Sequence, residues 1–261
     1  MLLPMKHSSL PAPIRSLTSL LNTGTRPLAA LTAAFCFPVL SIQAESPTSQ
    51  PAVPTEKIEL FDGTTFKGWI SCLASLEKST IKSGDNIWTS AGAEASAPRL
   101  QSEKTWMIKD GILSCSGSPN GFLRTEKAYA NYKLTVEWRF TKPGNTGVLV
   151  HLNEPDKIWP LGVECQGMHK FQGDMYFWSG SSCRELTQGP KVPMKTASSE
   201  KPAGEWNTYQ VIAADDTVTI LVNGTEMNKA TQCSPKSGTI GLQSEGAAFE
   251  VRKVTLEPLD R

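Results

Sequence analysis

The stretch Tyr132–Phe140, YKLTVEWRF, decides the fold. Leu134, Val136, Trp138 and Phe140 alternate with Thr135, Glu137 and Arg139, and a period of two sends one set to a core and the other to a sheet surface. The same theme recurs outward along the chain, as short β-branched and aromatic runs punctuated by Gly, Asn, Asp or Pro. It appears in TWMIKDGILSCSG (105–117), TGVLVHL (146–152), GVECQG (162–167), WNTYQVIAADDTVTILVNGTEM (206–227), GTIGLQSEG (238–246) and FEVRKVTLEPL (249–259). Lys109-Asp110-Gly111 and Val222-Asn223-Gly224 sit where hairpins need positive φ angles. No amphipathic helix longer than two turns is visible, so the domain is all-β. Many short antiparallel strands over about 200 residues favour a two-sheet sandwich or jelly roll.

Length and composition set the frame around those strands. The chain has 261 residues, 39% of them hydrophobic, which suits one large domain or a domain plus processed ends. The first 26 residues hold Lys6, Arg15 and Arg26 and no acid, and PLAALTAAFCFPVLSIQA (27–44) follows as an apolar run ending in a small residue. This predicts a secretory leader over 1–44 with cleavage near Ala44. The run is too short and too Pro-interrupted for a membrane span; a lipid anchor on Cys36 is the alternative, disfavoured by Phe35. ESPTSQPAVPTEK (45–57) reads as a disordered linker, and residues 58–261 as the folded domain. Secretion or a periplasmic location follows. Removing the leader takes three basic groups and no acid, leaving 23 Lys+Arg against 25 Asp+Glu. A nearly neutral chain argues against a nucleic-acid partner.

Cys72, Cys115, Cys165, Cys183 and Cys233 follow the leader. Disulfides are permitted in an exported protein, the odd count leaves a thiol over, and no CxxC spacing supports a thiolate zinc site. The sequence offers no GxSxG, P-loop or HExxH, which leaves serine hydrolase, nucleotide and zincin readings without support. Two long polar stretches, residues 70–105 and 168–204, read as surface excursions.

One polar face stands out among the apolar strands. In TGVLVHL, Gly147, Leu149 and His151 share a face, and in GVECQG Glu164 and Gln166 do, opposite Val163 and Cys165. With TKPGNTG (141–147) as a hairpin loop, the three runs become neighbours and one sheet face collects Glu137, Arg139, His151, Glu164 and Gln166. The ordinary alternatives are a solvated Glu/Arg surface and a hydrogen-bonded structural histidine. Cys165 reads as a small buried hydrophobe. Trp138 and Trp206 read as core, whereas Trp159 and Trp178 fall in loops near the polar face, where a ring can stack on a sugar.

Eight segments in order resemble the 3-keto-disaccharide hydrolase domain family: IELFDGTTFKGW (58–69), WMIKDGIL (106–113), NYKLTVEWRF (131–140), GNTGVLVHL (144–152), WPLGVECQG (159–167), GEWNTYQVIA (204–213), TILVNGTEM (219–227) and GTIGLQSEGAAFEVRKVTLEPL (238–259). The resemblance implies a concanavalin A-like jelly-roll β-sandwich of two antiparallel sheets. It implies cleavage of glycosides already oxidised at C3, with a partner oxidoreductase supplying the ketone. By position it carries over Glu137 and Arg139, Asn145 and Gly147, and Glu164 and Gln166. The chain departs from the family pattern at His151, where many members carry Arg, at Thr146 for Ser, and at Glu245, where many carry His. GMHKFQGDMYFW replaces the usual continuation and leaves His169 and Asp174 as stand-ins.

On this reading Glu164 is the first candidate for the base and Glu137 the second, with His151 as a third catalytic group. Arg139, Asn145, Gln166, Trp159 and Glu245 would contact the carbohydrate, and oxygen and imidazole ligands together could hold a divalent metal. A non-catalytic carbohydrate-binding module and an ordinary two-carboxylate glycosidase are the competing readings.

Overall fold

The computed structural model describes residues 50–74, 88–90, 103–153 and 159–259. The expected leader over 1–44 lies outside the described residues, as do residues 45–49 of the expected linker. The rest of that linker is anchored where Ala52 bridges Tyr129, its amide donating to the Ala128 carbonyl at 2.9 Å.

Sixteen strands are present among the described residues: β1 (Ile58–Glu59), β2 (Trp69–Ala74), β3 (Trp88–Ser90), β4 (Trp106–Lys109), β5 (Ile112–Cys115), β6 (Gly121–Thr125), β7 (Tyr132–Phe140), β8 (Gly147–Asn153), β9 (Leu161–Gln166), β10 (Met175–Trp178), β11 (Lys191–Val192), β12 (Asn207–Ala214), β13 (Thr217–Val222), β14 (Thr225–Ala230), β15 (Thr239–Ser244) and β16 (Phe249–Glu257). They form two antiparallel sheets. The first runs β14-β13-β12-β7-β16-β5-β4, with β1 also paired to β16; the second runs β11-β10-β9-β8-β15-β6-β2-β3. The architecture is the expected jelly-roll sandwich. Asp110 and Gly111 (φ 52° and 78°) close the β4–β5 hairpin, and Asn223 and Gly224 (φ 50° and 84°) close β13–β14, both with two positive φ angles in succession.

The alternating residues of β7 behave as its period predicts: Leu134, Val136, Trp138 and Phe140 are buried between the sheets. There they meet Tyr209 and Phe249, with the Trp138 ring 4.9 Å from Tyr209 and edge-on to Phe249 at 6.3 Å. Val148, Val150, Val163, Cys165, Ile240 and Leu242 fill the core from the second sheet. Cys165 is thus the buried hydrophobe expected.

Three expectations are corrected. First, β7 and β8 do not pair. β7 lies between β12 and β16, β8 lies between β9 and β15, and the chain from Thr141 to Thr146 passes from one sheet to the other. Thr146 secures the arrival by donating its hydroxyl to the Gln243 carbonyl at 2.6 Å. Second, the stretch 168–204 is not all loop, because it supplies β10 and β11, and Trp178 sits on β10. Third, Trp206 is not core. It lies half-buried on the outer face of the first sheet between two guanidiniums, Arg139 and Arg252, each 4.6 Å from the ring. No helix among the described residues is long and apolar enough to cross a membrane.

Candidate functional site

The outer face of the second sheet is built by the residues that alternate with its core set. Tyr176 stands opposite Glu164, Glu164 opposite Leu149, and Leu149 opposite Gly241. In the next row Gln166 stands opposite Gly147, and Phe122 opposite Gln243. One half of this face is apolar, with Ile70, Cys72, Phe122, Leu149 and Leu152 in contact. The other half gathers the polar groups around Glu164.

Glu164 is 2% exposed. Its Oε2 accepts from the Trp178 indole N–H at 2.8 Å and its Oε1 from the Gln166 amide at 3.1 Å. Gln166 is itself fixed, since its Oε1 accepts from the Met168 backbone N–H at 2.8 Å. Burial raises the Glu164 pKa, the nearby Glu245 charge raises it further, and the Trp178 and Gln243 side chains pull it partly back, leaving it at about 7. Glu245 lies close enough for its charge to act on Glu164. Glu245 Oε2 accepts from the Asn145 amide at 2.7 Å, and its own pKa is raised by burial against that hydrogen bond.

Gly147 makes the convergence sterically feasible. A Cβ there would lie 3.0 Å from Gln243 Oε1 and 3.3 Å from Glu164 Cγ, so any side chain would wedge the two apart. Beside this centre runs a row of rings: Trp159 is 5.2 Å from Trp178, and Trp178 is 5.5 Å from Tyr176 with parallel planes. Lys191 extends the row, its ammonium 5.6 Å from the Tyr176 ring and 2.6 Å from Asp174.

Of the sequence-predicted site residues, the structure brings together Glu164, Gln166, Asn145, Glu245 and Trp159. It separates three others from them. Glu137 and Arg139 lie on the outer face of the opposite sheet. There Glu137 meets Arg252 at 2.7 Å and Lys253 at 3.4 Å, and these cations hold its pKa below the usual carboxylate value against the effect of partial burial. Arg139 pairs with Glu250 at 2.6 Å. His151 is turned inward by a bulge. Its φ of 55° breaks the alternation in β8, so Leu152 takes the outer face while the imidazole packs edge-on to the buried Tyr132. Its Nδ1 is 3.0 Å from the Pro235 carbonyl, and burial lowers its pKa to about 4, so the ring is neutral near pH 7. Of the five residues expected on one face, Glu164 and Gln166 share it and Glu137, Arg139 and His151 do not. His169 is also elsewhere occupied, 2.6 Å from the Glu200 carboxylate.

The sequence reading assigned no role to Gln243 or Tyr176 and placed Trp178 in a loop. Gln243 could have been found by alternation within TIGLQS, where it shares a face with Gly241. Its importance came only with the knowledge that β15 lies beside β8.

The imidazole that a mixed metal site would need does not face Glu164. No group of three His, Cys, Asp or Glu side chains suited to an ion occurs among the described residues. Two carboxyls and three amides gather instead, a set that can exchange protons and offer oxygen donors.

Comparison with known proteins agrees with the fold. A family model described as a 3-keto-alpha-glucoside-1,2-lyase-like domain matches residues 56–257. A solved structure from Parabacteroides distasonis ATCC 8503, described as a candidate glycosyl hydrolase, is 20% identical. It covers 78% of this chain and 94% of that one, with a TM-score of 0.53. An endo-acting O-glycanase of the human gut microbiota is 14% identical, covering 80% of this chain and 100% of that one, with a TM-score of 0.52. These two show a shared fold. No curated protein matches the sequence at a significant level.

Proposed function

Because the chain belongs to the family of 3-keto-alpha-glucoside-1,2-lyase-like domains, we propose that it is an exported enzyme that cleaves the glycosidic bond of 3-keto-glycosides or 3-keto-disaccharides, with Glu164 as the base. The observation that carries this is a buried carboxyl whose pKa lies near 7, the range in which one group can both take and return a proton. An ordinary solvated carboxylate would be too weak a base, and its conjugate acid would not persist at neutral pH.

The chemistry follows from the substrate. A ketone at C3 acidifies the C2 proton. The Glu164 carboxylate takes that proton, the released electron pair forms a C1=C2 double bond, and the C1–O bond breaks with the aglycone leaving as its protonated alcohol. Water then adds across the double bond, its hydroxyl to C1 and a hydrogen to C2. The net change is hydrolysis. Trp178 and Gln166 orient the Glu164 oxygens, and Glu245, held by Asn145, is the second carboxyl able to supply a proton to the leaving oxygen. A partner oxidoreductase would supply the ketone. No step passes through a metal.

Incubation of the purified protein with a panel of 3-keto-disaccharides and their unoxidised parents tests the reading. Release of sugar from the keto forms alone supports it. Binding without release supports the carbohydrate-binding alternative, and release from the unoxidised parents supports a glycosidase.

A further inference from the structure

Cys183 lies on the excursion between β10 and β11, shortly after Trp178, and Cys233 lies on the chain that runs from β14 to β15. Both are free thiols in this structure. The two stretches are clamped together on either side of the cysteines. On one side Ser182 and Ser234 form an antiparallel bridge and exchange both backbone hydrogen bonds, each 2.9 Å. On the other the Arg184 N–H donates to the Thr231 carbonyl at 2.8 Å. There the Glu185 carboxylate also accepts from the Thr231 N–H at 2.7 Å and from its hydroxyl at 2.8 Å. Gln232, at φ 55°, takes up the one-residue shift between the two clamps.

Between the clamps Cys183 and Cys233 are opposed. One residue on from a hydrogen-bonded antiparallel pair comes a pair without ladder bonds, where the Cα atoms approach to about 4.5 Å and the side chains come closest. The Cys233 N–H accordingly turns away and donates to the Asp216 carbonyl at 2.8 Å. Exposure alternates in step along both stretches: Ser182, Arg184, Gln232 and Ser234 are exposed, whereas Cys233 is buried and Cys183 half-buried. Both thiols therefore point to the same inner side, where they pack against the core. A Cα separation of about 4.5 Å falls inside the range that a disulfide spans, about 4.4–6.8 Å.

We propose that Cys183 and Cys233 form a disulfide when the chain meets an oxidant, and that the link fastens the excursion following Trp178 to the crossing between the two sheets. Cys183 is the point of entry, because it is the one cysteine among the described residues that is not buried. Its thiolate attacks a sulfur of a small-molecule disulfide such as oxidised glutathione, which forms a mixed disulfide and expels one glutathione thiol. Cys233 then loses its proton, attacks Cys183 Sγ and expels the second. The two protein thiols have given up two protons and two electrons, and the small disulfide has gained both. Cys72, Cys115 and Cys165 are buried and stay thiols. The link closes a loop of about fifty residues and so restricts the unfolded chain. Because the clamps already hold the two stretches in register, it adds stability without moving Trp178.

The test incubates the full chain with oxidised glutathione, maps its peptides without reduction, and compares thermal melts before and after a reductant is added. The map should contain a Cys183–Cys233 peptide, and the oxidised protein should melt higher than the reduced one by about 5 °C or more. Cys183→Ser should melt at the same temperature with and without oxidant. A map in which all cysteines stay free, in which Cys183 stops at the glutathione adduct, or in which Cys233 is joined to Cys165, overturns the proposal. Equal melting of the oxidised and reduced wild type overturns the fastening. Glutathione supplies the oxidant here, so the result depends neither on export nor on the reaction assigned to Glu164.

Discussion

Replacing Glu164 by Gln keeps the shape of the side chain and removes its charge, and the structure fixes how stability should respond. The folded protein holds this carboxyl at about 7, against an ordinary value of 4.5. Each pKa unit corresponds to about 1.4 kcal/mol, so ionising the buried group costs the folded state about 3 kcal/mol once the pH passes 7. The sign follows from proton binding. Between 4.5 and 7 the folded state holds the proton more tightly than the unfolded chain, so the Glu164 contribution is most favourable below 4.5 and is lost as pH rises through 7. Gln never ionises. Glu164→Gln should therefore be more stable than wild type by about 3 kcal/mol at pH 8 and by less than about 1 kcal/mol at pH 5. Imperfect contact between the new amide and Gln166 would subtract a similar amount at both pH values. His151, with its pKa lowered to about 4, titrates in the opposite sense by destabilising the fold as pH falls below 6.5, but it is common to both proteins and cancels in the difference. Urea unfolding of both proteins at pH 5, 6, 7 and 8 measures it. A stability difference that stays flat across that range would refute the picture of a strained, buried carboxyl.

Other perturbations test the surrounding structure. Glu137→Gln removes half-exposed ion pairs with Arg252 and Lys253 on the far sheet, so urea unfolding should show a loss of about 1 kcal/mol or less and sugar release should not change. Gly147→Ala places a methyl between Gln243 and Glu164; turnover should fall tenfold or more while the melting temperature moves by only a few degrees. Asn228, fully buried, donates its amide to the carbonyls of Gly173, Val192 and Pro193 at 3.0, 3.1 and 3.2 Å. Asn228→Ala leaves those carbonyls without that donor and should cost about 3 kcal/mol in urea unfolding, with faster amide exchange in β11. Gly167→Ala drives a Cβ to 2.3 Å from the Trp138 ring, a rigid core group, and should lower the melting temperature severely.

Much of the fold was legible because alternation is a local property. The core face of β7 and the Asp110-Gly111 and Asn223-Gly224 hairpins need only a few neighbouring residues to specify them. Glu164 and Gln166 were legible for the same reason, since two polar residues on one face of a short apolar strand can be read without knowing the neighbouring strands. What could not be read was which strands lie side by side. TKPGNTG looks like a hairpin loop, but its chain crosses between sheets, and this puts Glu137 and Arg139 on the wrong side of the sandwich. The inward turn of His151 depends on one residue at φ 55°, and a period-two pattern cannot signal a bulge. Gln243 reaches Glu164 from a strand almost eighty residues later in the chain. Trp206 is out of phase with Tyr209, Val211 and Ala213, so strict alternation already puts it on the outer face, where two arginines from separate strands hold it.

The central claim is that Glu164 moves the C2 proton of a 3-keto-glycoside. The most direct measurement follows methyl 3-keto-α-glucopyranoside in deuterated water by proton NMR, with wild type and Glu164→Gln side by side. The account predicts that wild type releases methanol, leaves deuterium at C2 of the sugar product and gives no release from the unoxidised glucoside, while Glu164→Gln binds the substrate and loses at least about a hundredfold in rate. Release of methanol by Glu164→Gln at the wild-type rate, or equal release from the unoxidised glucoside, would contradict it.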